Sequence, residues 1–292
     1  EGPNASNMKT INMGDGVIPT LLHLCATDGA IDWEIVKNAA LALSVASFDA
    51  QNHHEMANDK SCVIAIVKMA GTDDPEIRTH ASITIANLCH KDELSQSIFG
   101  ELQAVPPLLK SLEFATVDLL EAATAALSNI TCFCDANCKQ IIELGGVAAL
   151  VKLISSSFSE NLLDLDQNDE VQANAVEILA NTSRFNCPET VQAFNFEVID
   201  ALIIICASEN KQVKRHAPLV LGNIAQNEVC RREIGDRGGI EALMLILEDE
   251  DKAIKANSLW AMCNLMWYPP NQARAGRFLT EIMTCLVSSW LP

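Results

Sequence analysis

The chain has 292 residues, of which 49% are hydrophobic and only 5% are aromatic, and its formal net charge is −18 at pH 7. That charge argues against nucleic-acid binding and against binding of an anionic membrane by the body of the protein, because both require a positive surface. The 11 cysteines form no clustered framework, which predicts reduced thiols in a cytoplasmic protein. No apolar run long enough to predict a membrane span is present.

Two patterns recur along the sequence with the same spacing. The first is an Ala-rich segment with an Asn near its end, at positions 87, 129, 181, 223 and 264, with Val45 in place of Asn in the first copy. The second is an apolar segment anchored at Ile18, Val63, Val105, Val147, Ile199 and Ile240. Most steps are close to 42 residues, and both patterns take one step of 52 at the same place. A fixed period of this length predicts a stack of helical repeats.

In chain order, the two patterns predict six repeats and a cap. The repeats lie at about 1–47, 48–89, 90–132, 133–184, 185–225 and 226–267, and a capping segment occupies 268–292. Each repeat is predicted to contain a short amphipathic first helix, an apolar second helix and a third helix that carries the Asn. Glycines at 16, 145 and 238 predict the turn before the second helix. The fourth repeat contains an insertion at 155–169, whose Ser, Asn and Asp content predicts a loop.

The start of the second helix, as in Gly16-Val17-Ile18-Pro19-Thr20-Leu21-Leu22, and the Ala126-Leu127-Ser128-Asn129-Ile130 segment resemble the consensus of the armadillo repeat family. The resemblance covers about residues 5–267. It implies an all-α fold, a right-handed α-solenoid in which the third helices line a concave groove. It also implies a non-enzymatic scaffold for protein binding, with no cofactor. The sequence contains no phosphate-binding Gly loop, nucleophile elbow or metal-spaced His pair.

The regularly spaced Asn side chains are the first candidate binding residues. A carboxamide carries both a donor and an acceptor, so a row of them can hold the backbone of a peptide whatever its sequence. The alternative is that each Asn holds its own helix end or a neighbouring repeat. The candidates for peptide contact are Asn87, Asn129, Asn181, Asn223 and Asn264.

Residues four, seven and eleven positions before each Asn share its helix face by periodicity. Seven positions before, the candidates for partner contact are His80, Asn174, His216 and Asn257. Four positions before, nuclear-import members of the family carry Trp residues that form slots for lysine, and of the six residues at this position in the sequence only Trp260 fits that pattern. We therefore do not expect an import-signal receptor. Trp260 and Glu177, which occupies the same position in the fourth repeat, are the predicted specificity residues.

Eleven positions before the Asn, four of the six residues are acidic: Glu34, Glu76, Asp118 and Glu170. One interpretation is that these carboxylates occupy the first turn of each third helix because the helix dipole and free N–H groups favour them there. The other is that they form a stripe that attracts a basic segment. Both remain open at this point.

The resemblance implies that the partners are other proteins, bound through basic or neutral segments. A compact chain with little beyond repeats also resembles adaptors of this family that an acylated amino terminus holds on an organelle, where they recruit a myosin motor or a signalling enzyme. The acylation residues are outside this sequence, and membrane contact is expected only through such an anchor. We expect a cytoplasmic protein, on the cytosolic face of an organelle. The alternatives are a ciliary or axonemal armadillo protein and a regulatory or chaperone-like binder of a GTPase or motor.

Overall fold

The computed structural model describes residues 16–26, 33–113, 116–156, 169–185 and 187–278, and these residues form helices joined by turns, with no strand among them. The chain divides into two compact units, Glu1–Leu144 and Gly145–Pro292. The helices described in the first unit are α1 (Val17–Ala26), α2 (Trp33–Ala46), α3 (Ala50–Asn58), α4 (Lys60–Ala70), α5 (Pro75–Cys89), α6 (Glu93–Glu101), α7 (Val105–Ser111), α8 (Val117–Thr131) and α9 (Asp135–Glu143).

The second unit continues with the same kinds of helix. They are α10 (Gly146–Ser156), α11 (Asp169–Thr182), α12 (Pro188–Ala193), α13 (Phe196–Ile205), α14 (Lys211–Ile224), α15 (Glu228–Asp236), α16 (Gly239–Leu245), α17 (Lys252–Leu265) and α18 (Pro269–Ala275), followed by the 3₁₀ turn Gly276–Phe278. The predicted insertion at 155–169 begins in the last two residues of α10 and ends at the first residue of α11, and its residues 157–168 lie outside the described residues. The same holds for residues 279–292 of the predicted cap.

Short polar side chains determine where many of the helices begin. Each accepts hydrogen bonds from the first backbone N–H groups of its helix, which have no partner inside the helix. In the first unit these residues are Asp49, Asp59, Asp74 and Asp92, and in the second Asn195, Asn210, Asn227 and Asp251. The glycine turns were also predicted from the sequence. Gly145 and Gly238 precede α10 and α16 with φ angles of 73° and 89°, a conformation that favours glycine.

The second helices contribute to the core, because the six anchor residues of the apolar pattern are all at most 1% exposed. They are Ile18, Val63, Val105, Val147, Ile199 and Ile240. The third helices pack on one another within each unit: α5 contacts α2 and α8, and α14 contacts α11 and α17. Small buried residues such as Ala81 and Ala217 allow this close packing. The arrangement leaves one side of each third helix partly exposed, and the candidate site lies there.

Candidate functional site

The partly exposed side of α2, α5 and α8 is called here the third-helix face of unit 1, and that of α11, α14 and α17 the third-helix face of unit 2. Each face contains four rows of residues, which lie at the position of the Asn and at four, seven and eleven residues before it. The face of unit 1 consists of Glu34, Asn38, Leu41 and Val45 on α2, Glu76, His80, Ile83 and Asn87 on α5, and Asp118, Ala122, Ala125 and Asn129 on α8. The corresponding residues of α11, α14 and α17 form the face of unit 2.

The asparagines form the first row, the asparagine row, and are half-buried. Four of them donate a hydrogen bond from Nδ2 to the third helix of the preceding repeat, or to the serine just beyond its end. The bonds are Asn87 to Ser47 Oγ (2.8 Å), Asn129 to the Ala86 carbonyl (2.9 Å), Asn223 to Ser183 Oγ (3.0 Å) and Asn264 to the Gly222 carbonyl (2.9 Å). Each Asn therefore holds neighbouring third helices together. Since Nδ2 carries two hydrogens, Asn87, Asn129 and Asn264 keep one N–H and the Oδ1 atom for a partner. Asn223 Nδ2 also lies 3.5 Å from the Ala180 carbonyl, so Asn223 keeps its Oδ1 atom.

In the row seven residues before the Asn, Asn257 and His216 make internal hydrogen bonds. Asn257 donates to the Arg215 carbonyl at 2.8 Å, which repeats the linkage of the asparagine row between α17 and α14. His216 Nδ1 lies 3.0 Å from the Gln212 carbonyl one turn earlier. His80 is half-buried and burial lowers its pKa, against the opposing effect of Glu76, so the ring is neutral at pH 7. Asn174 lies in the same row and is half-buried.

The row four residues before the Asn is the apolar row in unit 1, where it consists of Leu41, Ile83 and Ala125. Leu41 is 44% exposed, and Ile83 and Ala125 are half-buried. In unit 2 the same row contains Glu177, Leu219 and Trp260. Trp260 is 45% exposed and lies against Gly222, where an added Cβ would come within 2.6 Å of Trp260 Cδ1. The two predicted specificity residues therefore both reach the surface of unit 2.

The carboxylates eleven residues before the Asn form the acidic row, and in unit 1 they surround one cation. Lys37 Nζ lies 3.0 Å from Glu76, 3.5 Å from Asp74 and 4.0 Å from Glu34. The hydrogen bond to Glu76 is the main cause of the raised pKa of Lys37. The side chains of Glu34 and Glu76 are nevertheless 75% and 56% exposed. Asp118 and, in unit 2, Glu170 are exposed as well. This row is accessible to a cation from outside the chain.

The later third helices of unit 2 carry positive charge at the corresponding place. Lys214 binds Asp249 at 3.3 Å and Arg215 binds Asp251 at 2.9 Å, which connects α14 to the start of α17. The pKa of Asp251 is lowered, chiefly by its hydrogen bond with Arg215, and that of Asp249 chiefly by the backbone N–H of Asp251, with Lys214 contributing. The Arg215–Asp251 pair repeats the Lys37–Asp74 pair of unit 1, and the Lys214–Asp249 pair is an addition in unit 2.

A second set of linking side chains, on the first helices, was not predicted from the sequence. Asn137 of α9 is buried and donates from Nδ2 to the carbonyls of Gln96 and Ile130, both at 2.8 Å. Asn271 of α18 makes the equivalent bonds to Arg231 (3.2 Å) and Leu265 (3.1 Å). Each Asn lies against a glycine of the preceding first helix, Gly100 for Asn137 and Gly235 for Asn271. An Asn about 36 residues after a helical Gly was the available sequence signal.

Arg78 is buried and makes contacts that were not predicted from the sequence. This residue of α5 has no exposed surface. Its Nη2 donates to Ser111 Oγ at 2.8 Å and to the Pro107 carbonyl at 2.9 Å, and its Nη1 donates to the Thr72 carbonyl at 3.1 Å. Burial lowers its pKa, and the negative charges of Asp73 and Glu113 oppose that effect. Arg78 thus fixes α5 on α7 and helps to position the third-helix face of unit 1.

The described ranges contain neither a metal-binding cluster nor a membrane span. Among these residues, no three His, Cys, Asp or Glu side chains lie close enough together to hold a metal ion. No helix in the described part of the chain has both the length and the apolar character needed to span a bilayer.

The chain is similar in sequence to known proteins that contain armadillo repeats or carry the name vacuolar protein 8. No family model matches the chain. Among curated proteins it is similar to armadillo repeat-containing protein 3 of Homo sapiens, at 29% identity over 184 residues, and to vacuolar protein 8 of Schizosaccharomyces pombe, at 23% identity over 266 residues. These matches cover 62% and 75% of this chain. They cover 19% of the human protein and 46% of the yeast protein, so the chain spans less than half the length of either relative.

Solved structures agree over most of the chain. An engineered protein of a structural genomics consortium (target OR329) has a TM-score of 0.72 at 26% identity, covering 85% of this chain and 96% of its own. A designed armadillo repeat protein in complex with the peptide (KR)4 has a TM-score of 0.69 at 20% identity, covering 85% of this chain and 99% of its own. The fold is an armadillo-repeat solenoid. The names of the relatives and of the similar structures support the family resemblance.

Proposed function

We propose that this armadillo chain is a non-enzymatic scaffold that binds segments of other proteins on its third-helix faces. The observation that carries the proposal is the set of partly exposed rows, in which Asn264 keeps an N–H and an oxygen for a partner one helical turn from exposed Trp260. In unit 1, Asn129 keeps the same two groups. The designed armadillo repeat protein of the same fold binds the peptide (KR)4 in its solved structure, which supports this use of the face. In unit 2, Trp260 and Glu177 select the bound segment.

The test is recovery of partners by the full chain and by variants changed on one face only. Glu177→Lys combined with Trp260→Ala alters the third-helix face of unit 2 without removing an Asn linkage. The matched control combines Glu197→Lys and Ile204→Ala, which alters exposed residues of the second helix α13. We expect the first variant to lose partners that the wild type and the control retain, as measured by quantitative mass spectrometry. Equal recovery by all three proteins, with unchanged melting temperatures, would contradict the proposal.

The narrower proposal is a cytoplasmic adaptor that an acylated amino terminus anchors to the cytosolic face of an organelle. The compact repeat architecture resembles the armadillo-repeats-only protein of apicomplexan rhoptries, which implies positioning of that organelle and recruitment of a myosin motor or a signalling enzyme. One matched relative is also named after an organelle, the vacuole. The test is metabolic labelling of the native full-length protein with an alkyne fatty acid, together with fluorescence localisation. A labelled protein on an organelle supports the anchor, and an unlabelled, diffuse protein contradicts it.

A further inference from the structure

We propose that the third-helix face of unit 1 binds an amphipathic, basic α-helix rather than an extended peptide. This inference rests on the proposed function, since it assumes that the face is a protein-binding surface, and it specifies the conformation and charge of the segment bound there. Three observations carry it: the use of the asparagine row, the spacing of the apolar row and the exposure of the acidic row.

The asparagine row of unit 1 offers an extended backbone a hydrogen-bonding side chain at only two of its three positions. An extended peptide brings unpaired N–H and C=O groups that a binding surface must satisfy. On α2, the residue at the position of the Asn is Val45, whose side chain has no hydrogen-bonding group. On α5 and α8, Asn87 and Asn129 each already donate one Nδ2 hydrogen, to Ser47 Oγ and to the Ala86 carbonyl respectively. A helix makes its own backbone hydrogen bonds, so it needs no such row.

The apolar row fits the period of a helix lying across α2, α5 and α8. Leu41, Ile83 and Ala125 come from three successive third helices, and packed helix axes are separated by about 8–10 Å. Seven residues of an α-helix advance about 10 Å along its axis. A ligand helix with apolar residues at i, i+7 and i+14 therefore carries them in one stripe. One of these residues would contact Leu41, one Ile83 and one Ala125.

The acidic row lies at the right distance for the flank of such a helix. Residues seven apart on a third helix are separated by about 10 Å along its axis, and residues eleven apart by about 16 Å. A helix with its side chains is about 10–12 Å wide, so one centred on Leu41, Ile83 and Ala125 extends about 5–6 Å toward the acidic row. Extended Lys or Arg side chains on its flank, together with the side chains of Glu34, Glu76 and Asp118, cover the remaining distance of about 4–5 Å. A peptide held at the asparagine row remains about 16 Å from these carboxylates.

The negative charge of this face favours a positively charged ligand helix. Among the described residues of α2, α5 and α8, Lys37 is a partly exposed cation of this region and already binds Glu76 and Asp74, while Arg78 is buried. The exposed carboxylates of Glu34, Glu76 and Asp118 thus outnumber it. Lys and Arg residues on one flank of a ligand helix would complement them, as charge pairing across an interface requires.

The experiment measures binding of fluorescent peptides to the full chain by anisotropy. The probe is an 18-residue stapled helix with Leu at the stripe positions and Lys on one flank. Its controls are a scrambled peptide of the same composition and a peptide with Pro at its centre, which cannot remain helical. We expect the stapled helix to bind at least about tenfold more tightly than either control, because only it presents a preorganised stripe.

Protein variants then locate the site. Leu41→Ser, which shortens the apolar row, should weaken binding about threefold or more, whereas Leu219→Ser, in the same row of unit 2, should not change it. The triple variant Glu34→Gln, Glu76→Gln, Asp118→Asn should weaken binding about tenfold and flatten its salt dependence. Melting temperatures confirm that all of these proteins fold.

The outcomes separate this inference from the proposed function. If the Pro peptide binds as tightly as the stapled helix, or if the triple variant binds with unchanged affinity and salt dependence, the inference is wrong. Binding of an extended (Lys-Arg)4 peptide in preference to the stapled helix, with loss in Leu41→Ser, overturns the helix but leaves a protein-binding face. If neither peptide responds to any change on the face, the proposed function is contradicted for unit 1 as well.

Discussion

Trp260 of α17 packs directly on Gly222 of α14, and the two residues leave no space for a side chain between them. A Cβ at position 222 would lie 2.6 Å from Trp260 Cδ1 and 3.0 Å from the Ala261 Cα atom. The indole is therefore held in place by the absence of a side chain one helix away. The Gly222 carbonyl also accepts the hydrogen bond of Asn264, so one glycine positions both residues of the face.

Gly222→Ala should destabilise unit 2, because overpacking costs about 1–3 kcal/mol of folding free energy. The higher helix propensity of Ala offsets about 1 kcal/mol of this cost. Urea unfolding measures the change. In Trp260→Ala the clash with the ring is absent, so the same glycine substitution should cost less there. An equal cost in both backgrounds would show that the contact with Trp260 is not the cause.

Asn129→Ala should lower the free energy of unfolding by about 1 kcal/mol, because it removes the bond to the Ala86 carbonyl between α8 and α5. Chemical denaturation of the full chain is the measurement. Asn58→Ala is the matched control, since this exposed Asn bonds within its own helix, to the His54 carbonyl. If both variants lose the same stability, the link between helices contributes nothing of its own.

Gly100→Ala should destabilise unit 1 by about 1–3 kcal/mol. The added Cβ would overlap Asn137, which is buried and fixed by two hydrogen bonds. Gly276→Ala provides the comparison, since a Cβ there meets no atom within 4 Å. Thermal unfolding should show a lower melting temperature for the first variant and little change for the second. A stable Gly100→Ala protein would mean that Asn137 can move aside.

The ion pairs between α14 and the start of α17 should make the stability of unit 2 depend on pH. Folding lowers the pKa values of Asp249 and Asp251, so their stabilisation is present above the unfolded value of about 3.9 and is lost as the pH falls through the folded values. Arg215→Met should therefore lose stability relative to wild type at pH 7, and less so at pH 3. A difference that does not change between these pH values would contradict the assignment.

Thiol reactivity should follow burial. Burial raises the pKa of Cys62 and of Cys206 to about 12, so neither thiol ionises at pH 8 in the folded protein. Cys263 is exposed on α17 and should be alkylated by iodoacetamide within minutes. Mass spectrometry of peptides from native and urea-unfolded protein measures the order. Rapid labelling of Cys62 in the native protein would indicate local opening of α4.

The fold could be predicted from the sequence because its signal is repeated. Each of the six apolar anchors, from Ile18 to Ile240, is weak evidence alone, but a shared period defines the register, and all six are buried. The rows of the third-helix faces follow from that register by helix geometry alone. Only the spacing of residues along the chain was needed for this part.

The partners of the side chains could not be predicted in the same way. A carboxamide such as Asn129 can bond to a ligand, to its own helix or to a neighbour, and the choice depends on how closely α8 approaches α5. The structure shows the bond to the neighbouring helix. The contact of Asn137 with Gly100 was missed because it needs the distance between two first helices. Peptide contact by the asparagine row remains a prediction.

The bonds of Asn129 and Asn264 end on main-chain carbonyls, those of Ala86 and Gly222. Every residue type supplies the same carbonyl, so the link requires a specific amino acid on one side only. A third helix that accepts such a bond can vary in sequence at its accepting position without losing the link. At these two junctions, a substitution that changes only the accepting side chain leaves the hydrogen-bond acceptor in place, so the two sides of the junction can change in sequence independently as far as this bond is concerned.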